Sequence, residues 1–284
     1  GTKVYFFLMH SAFWLNQTMY HLVSLILHFS VAALLFLILK RILKNYFLSA
    51  AAAIVFLILS GHHEAIFWIS ATGFLFNAFF ALLSLLFFIY WKENKKNIYL
   101  LIAFVAVFLS LLFHELGVIA PLLIILYDSV FGEKFSLSNL YKKSYYYILI
   151  FPIIPYLILR FIAKSHWFIG DYSYNIFNLP YNFIGNTMGY LGLSVFGPLF
   201  LTIYNSIRNF SKGNLGIALL ASIVIIFAAF FLWKWLMKAL TKDDSRIVVF
   251  GVLFFAISLL PFLGLGTITS RYSYLSSVGL AILL

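Results

Sequence analysis

The chain is a ladder of apolar runs, most of them near the length that crosses a bilayer, separated by short polar turns. A helix needs about 20 residues to span the hydrocarbon core. In lipid, only helices and closed barrels satisfy every backbone polar group internally. The runs here are continuous rather than alternating, and their length selects helices over strands. Residues 20–39, 47–59, 66–90, 98–113, 118–131, 145–162, 215–233, 247–263 and 278–284 are the expected membrane segments, and 4–15 suits an interfacial or partial one. Only 10% of residues are charged, against roughly 25% in soluble domains. The expectation is an all-α, polytopic transmembrane helical bundle forming one domain over residues 1–284.

The net charge of +11 would suit nucleic acid if it formed one patch. Instead the basic residues sit in small clusters between apolar runs, as in cytoplasmic loops. With no cysteine, disulfide and thiolate chemistry are excluded. No cleavable signal peptide is visible. The chain opens on Gly1-Thr2-Lys3 and ends within an apolar run, so truncation at both ends of a longer protein is expected.

Placing Lys40, Arg41 and Lys44 inside puts Lys92–Lys96 and Lys134–Lys143 inside as well. The turns His62-His63-Glu64 and His114-Glu115, with residues 163–187, then lie outside. Keeping Lys234–Arg246 inside requires residues 188–204 to enter and leave on the same side. That segment and its flank carry Gly185, Gly189, Gly192, Gly197 and Pro198, and broken helices at membrane depth are tolerated where protein or a cavity surrounds them. It is expected to be re-entrant or interfacial, leaving the weaker Arg208/Lys212 cluster outside. The unusual groups His62, His63, Glu64, His114, Glu115, Asp171 and Arg271 then share the outer face. Asp128, inside an apolar run, is ambiguous.

A carboxylate at membrane depth is costly and tends to persist only where it faces a polar cavity. Glu64 and Glu115 each follow a histidine at the top of a hairpin and are the candidate catalytic residues. Each can act as a general base or orient a sugar hydroxyl. The competing readings are a helix N-cap, or an ion pair with Arg271 or a lipid headgroup. His62, His63 and His114 join them as candidate substrate-binding groups. A divalent metal among these residue types is the weaker reading, because adjacent histidines do not readily share one ion and no His-x-x-x-His pair is near. No cofactor is expected. His21, Ser24 and His28 share a helix face, with inter-helix hydrogen bonding expected for His28 and access to the cavity for His21. Arg271, with Tyr272 beside it, is suited to phosphate because a guanidinium is permanently charged and bidentate; interfacial anchoring is the alternative.

Four blocks in order resemble the GT-C glycosyltransferases, closest to the transmembrane O-mannosyltransferases with tetratricopeptide repeats and their prokaryotic relatives. Tyr20-His21-Leu22-Val23-Ser24-Leu25-Ile26-Leu27-His28 is similar to that family's Tyr-His-Leu-x-Asn-x-x-x-His helix. His62-His63-Glu64-Ala65-Ile66-Phe67-Trp68-Ile69-Ser70 is similar to its His-x-Glu-Ala-x-x-Trp-Ile-Ser turn. Phe113-His114-Glu115-Leu116-Gly117 with Pro121 and Tyr127-Asp128 resembles its Lys-Glu turn. Arg271-Tyr272-Ser273-Tyr274-Leu275-Ser276-Ser277-Val278-Gly279-Leu280 resembles its Arg-Tyr-x-Tyr-x-Pro-Ser-x-Gly-Leu segment. The chain departs from the pattern at Ser24, His114 and Ser276, where the family has Asn, Lys and Pro.

The resemblance implies a GT-C-type bundle of about nine membrane segments plus one re-entrant or interfacial segment. It implies inverting transfer of a sugar, mannose or a similar hexose, from a polyprenyl-phosphate carrier to a protein, glycan or lipid acceptor. The active face would be the outer face of a prokaryotic cytoplasmic membrane. Arg271 would hold the phosphate, with His114 or His62 assisting, while Glu64 and Glu115 orient the sugar or tune neighbouring groups. The family's catalytic acid would precede Gly1, and the repeats would follow Leu284. The rival classes are a transporter or lipid-carrier flippase, and a non-catalytic membrane scaffold. A transporter would place its ionisable groups near the midplane on paired repeats.

Overall fold

A computed structural model describes residues 1–132, 143–162 and 179–284. It is all-helical, with no strand among the described residues. Among the described residues, six helices are long and apolar enough to cross a membrane, or seven if the bent pair around residue 59 is one span. The chain is a multi-pass helical membrane protein.

Helix α1 is Thr2–Phe13 and α2 is Gln17–Leu43. Then come α3 (Tyr46–Ile58), the short α4 (His63–Phe67), α5 (Thr72–Asn94), α6 (Asn97–Phe113) and α7 (Ile119–Phe131). Side chains stop the chain from fraying where it turns. Asn16 and Asn45 accept backbone N–H bonds at the starts of α2 and α3, as Thr241 does at the start of Lys242–Leu263, each satisfying an otherwise orphaned donor. Lys44 and Lys95 end α2 and α5 in the left-handed conformation, and the next helix starts within three residues. The hairpins are therefore tight and the helices antiparallel.

The apolar run 145–162 is split into α8 (Ser144–Ile150) and α9 (Ile153–Ile162). Pro152 between them has no N–H to donate, which interrupts the helix. The later elements are α10 (Leu179–Phe196), α11 (Phe200–Gly213), α12 (Leu215–Ala239), α13 (Lys242–Leu263) and α14 (Ser277–Leu283). Gly279 lets α14 lie against α13: a Cβ there would stand 2.5 Å from the Gly251 carbonyl oxygen.

Residues 181–211 qualify by length and composition as one span, yet they fold back on themselves. Tyr181 Oη donates to the Arg208 carbonyl (2.9 Å), Arg208 Nη2 donates to Asn182 Oδ1 (2.7 Å), and Tyr204 Oη donates to Asn186 Oδ1 (2.6 Å). In a straight helix, positions 182 and 208 would be about 39 Å apart. Helices α10 and α11 are therefore a hairpin turning at Gly197 (φ +68°), its base bonded through Asn182 to the Gly264 carbonyl (3.1 Å) and its apex packed against Ser60. Residues 188–204, expected to be re-entrant or interfacial, include the turn of this hairpin. Arg208 binds the two arms together, donating to Asn182, Asn186 and Tyr204.

Arg41, Lys92 and Lys143 gather at one end of the bundle. Arg41 pairs with Glu93, and Lys92 and Lys143 pair with Asp128, each at 2.8 Å. The turns bearing Glu64, Glu115 and Arg271 are at the opposite end. There α1 lies against the α5–α6 hairpin, with Thr2 Oγ1 donating to the Phe113 carbonyl (2.6 Å).

Candidate functional site

The first acid-bearing turn is built from short helical pieces. After α3 ends at Ile58, one 3₁₀ turn (Ser60–His62) leads into α4, and a second (Ile69–Ala71) leads into α5. Successive residues in such a tight path point about 100–120° apart, so the polar triplet is divided. His62 is buried, His63 is exposed, and Glu64 is partly buried. The α10–α11 hairpin presses on this turn. Gly61 passes so close that a Cβ would meet the Leu193 carbonyl oxygen at 2.8 Å, and Ser60 Oγ donates to the Val195 carbonyl.

Glu64 joins the segment before α14. Its Oε1 accepts from Arg271 Nη1 (2.7 Å), while Oε2 accepts from Ser270 Oγ (2.9 Å) and the Arg271 backbone N–H (3.2 Å). The Arg271 side chain is 9% exposed and that of Glu64 is 23% exposed. The guanidinium lies 4.4 Å from the Trp68 ring centroid and 5.1 Å from that of Tyr272, where aromatic faces favour a cation. Tyr272 stacks on Phe262 at 4.1 Å and lies 5.6 Å from Phe74.

Phe74 continues the strip to the second turn, its ring 4.1 Å from that of His114. His114 Nδ1 accepts the Leu116 backbone N–H at 3.2 Å, capping the 3₁₀ turn Glu115–Val118. An accepting Nδ1 leaves the proton of the neutral ring on Nε2. Burial pushes this imidazole down to about 4; Glu115 opposes the shift, and Arg271 and Arg160 reinforce it. His114 is thus a neutral donor at pH 7.

Glu115 is 57% exposed and pairs with Arg160 of α9, which is 15% exposed and also donates to Tyr156 Oη at 2.9 Å. Between α6 and α9 these groups border a cleft of about 330 Å³, walled on its apolar side by Leu111, Leu112 and Leu159.

Beneath the strip lies a second polar layer. Ser277 Oγ donates to the Tyr274 carbonyl (2.7 Å), so its oxygen accepts from His62 Nε2–H (2.6 Å). The buried His62 Nδ1 then has no hydrogen-bond partner. His28 donates through Nε2 to the Leu57 carbonyl and accepts from Tyr274 Oη. That is the inter-helix bonding expected of it.

Of the residues picked from sequence, Glu64, Arg271, Tyr272, His114 and Glu115 form one continuous strip, with His62 below it. His63 faces away, its nearest ring contact being Phe67 of its own helix (6.3 Å). His21 is half-buried beside Phe67 (6.5 Å) and makes no hydrogen bond to the strip among the described residues. Asp171 lies outside the described residues. Among the described residues, no group of three or more His, Asp or Glu converges to hold a metal ion. The sequence reading missed Arg160 and Trp68. A lone cation inside the apolar run 145–162 was the available signal for Arg160; its partner, 45 positions away, was not legible. No family model, curated protein or solved structure matches the chain.

Proposed function

We propose that this chain is the membrane domain of a GT-C-type glycosyltransferase. It would move a hexose such as mannose from a polyprenyl-phosphate carrier to a protein, glycan or lipid acceptor. In this reading the bundle has about nine membrane segments, with α10–α11 as the re-entrant or interfacial piece. The basic end faces the cytoplasm of a prokaryote and the Glu64–Arg271 end faces outward, as positive-inside asymmetry requires.

The observation that carries the reading is the Glu64–Arg271 pair. A guanidinium is held nearly buried at the end of a membrane bundle, aimed by a carboxylate and two aromatic rings. In the reaction, the acceptor oxygen bonds to the anomeric carbon and gives its proton to a base. The bond from that carbon to the carrier phosphate breaks, and its electron pair leaves on the phosphate. The step needs a fixed positive charge where the leaving phosphate gains charge. Arg271 supplies it, and Glu64, whose two oxygens are occupied by three donors, holds Arg271 in place. Neutral His114 offers Nε2–H to a sugar or phosphate oxygen.

The test is transfer of radiolabelled mannose from polyprenyl phosphate by the full-length protein in membranes, at matched expression. Arg271→Ala is expected to lose at least about 100-fold of the rate, the order seen when one transition-state donor is removed. Glu64→Gln and Glu115→Gln are expected to lose less. No transfer from any polyprenyl-phosphate sugar by a folded protein would sink the proposal. Tolerance of Glu64→Gln and Glu115→Gln with lipid binding intact would favour a flippase or scaffold.

A further inference from the structure

Helix α11 has three different faces. Tyr204 and Arg208, one turn apart, point at α10 and bond to Asn182 and Asn186. Leu199 at the turn and Ile203, Ile207 and Phe210 along the helix form a stripe of exposed apolar side chains at helical spacing. Thr202, Asn205, Ser206 and Asn209 form a separate exposed stripe that is wholly polar. Within the hydrocarbon core, the carboxamides of Asn205 and Asn209 would be set among acyl chains, which offer an amide no hydrogen bond. In open water the apolar stripe would have nothing to bury it. A boundary between the two media, running along the helix axis, suits both stripes.

The placement of the hairpin puts α11 at such a boundary. At its base, Asn186 donates to the Leu263 and Leu265 carbonyls (2.9 and 2.8 Å) and Asn182 to that of Gly264 (3.1 Å), where α13 ends. At its apex, a Cβ on Gly197 would stand 2.8 Å from Ser60 Oγ, in the turn between α3 and α4. Base and apex are thus both at the Glu64–Arg271 end of the bundle. A hairpin plunging toward the bilayer centre would carry its apex about 21 Å from its base, the rise of α10 between Asn182 and Phe196. Contacts with one end of the bundle at both places mean that it lies across that end. Its apolar stripe also continues through the exposed Phe196 at the apex to Ile58 and Ile54, on the exposed apolar side of α3.

We propose that α11 is a membrane-interface helix that docks lengthwise on the leaflet at the Glu64–Arg271 end, with Ile203, Ile207 and Phe210 among the upper acyl carbons and Asn205 and Asn209 in water. The partner is the bilayer surface itself rather than a particular lipid, and the inference does not rest on sugar transfer.

The experiment uses the full-length protein in phosphatidylcholine nanodiscs, with single nitroxide labels introduced in turn at Ile203, Ile207, Phe210, Asn205 and Asn209. All five side chains are exposed, so a label at any of them leaves the packing intact. Electron paramagnetic resonance power saturation, with oxygen and a water-soluble nickel chelate, reads the depth of each label; a label at Phe227, midway along α12, serves as the hydrocarbon reference. The three apolar positions are expected at one common depth, about 5–10 Å into the headgroup–acyl boundary, and the two asparagine positions are expected to be open to nickel. A steady fall of about 10 Å in depth between Ile203 and Phe210 would mean a helix entering the core and would overturn the proposal. Nickel access at all five positions would put α11 in water, and exclusion of both reagents from the apolar stripe would mean a protein surface, such as a second copy of the chain, covering it; either result overturns the proposal as well. Replacing Ile203 and Ile207 together by Asn should shift the Phe210 label toward water. A label that stays at its depth in that variant would show that the stripe does not hold the helix in the membrane.

Discussion

Two carboxylates near opposite ends of this bundle, Asp128 and Glu64, are treated in opposite ways. Asp128 is completely buried, with donors or cations at both oxygens. Lys92 takes Oδ1, while Lys143, Tyr145 and Tyr146 converge on Oδ2, so α5, α7 and α8 are tied at one point. Glu64 is partly open, its donors all come from the adjacent residues Ser270 and Arg271, and the strip continues to a neutral histidine and a second ion pair whose carboxylate is exposed. A charge in an apolar run is thus not itself a mark of function. Whether its partners come from several helices or from one short segment separates a rivet from a site.

The sharpest test of that difference is Asp128→Ala. It leaves two lysines and two tyrosines around a hole, and breaking a buried ion pair costs about 3–5 kcal/mol. We expect a large fall in thermal stability, read by size exclusion after heating in detergent. A loss as small as that of an exposed pair would show that Asp128 is no hub. Glu64→Gln keeps the shape and loses the charge-assisted bonds, which are worth about 1.5–3 kcal/mol each before any replacement by Gln forms. Its stability loss should be the smaller of the two while its loss of transfer is the larger. Equal stability losses would remove the contrast.

His114 sharpens the comparison through pH. Its imidazole titrates near 4 in the folded chain, against about 6.5 when exposed. Its contribution to the closed turn is whole above about pH 6.5 and is lost as pH falls toward 4. Nitrogen-15 histidine NMR should show the ring neutral at pH 6; a midpoint near 6.5 would put it in water. The smallest effect belongs to Glu93→Gln, because Arg41 and Glu93 are 46% and 38% exposed. We expect a change under about 0.5 kcal/mol in the same melting assay, as for most surface pairs.

Much of this was legible before any coordinates. Apolar run lengths determined a helical membrane protein, because lipid offers backbone groups no other partner. The glycines with Pro198 marked the segment that turns back. The residues Glu64, Arg271, Tyr272, His114 and Glu115 were also recognisable, since polar groups in apolar runs need a reason. Their partnerships were not. Glu64 meets Arg271 across 207 positions and His62 meets Ser277 across 215, and no local pattern records such distances. His62 and His63 look equivalent in sequence, and only the tight turn beneath the hairpin sends one inward and the other out. Asp128 was ambiguous for the same reason. Whether a buried charge is bound up or left available depends on how many neighbouring helices bring donors to it, and packing alone decides that.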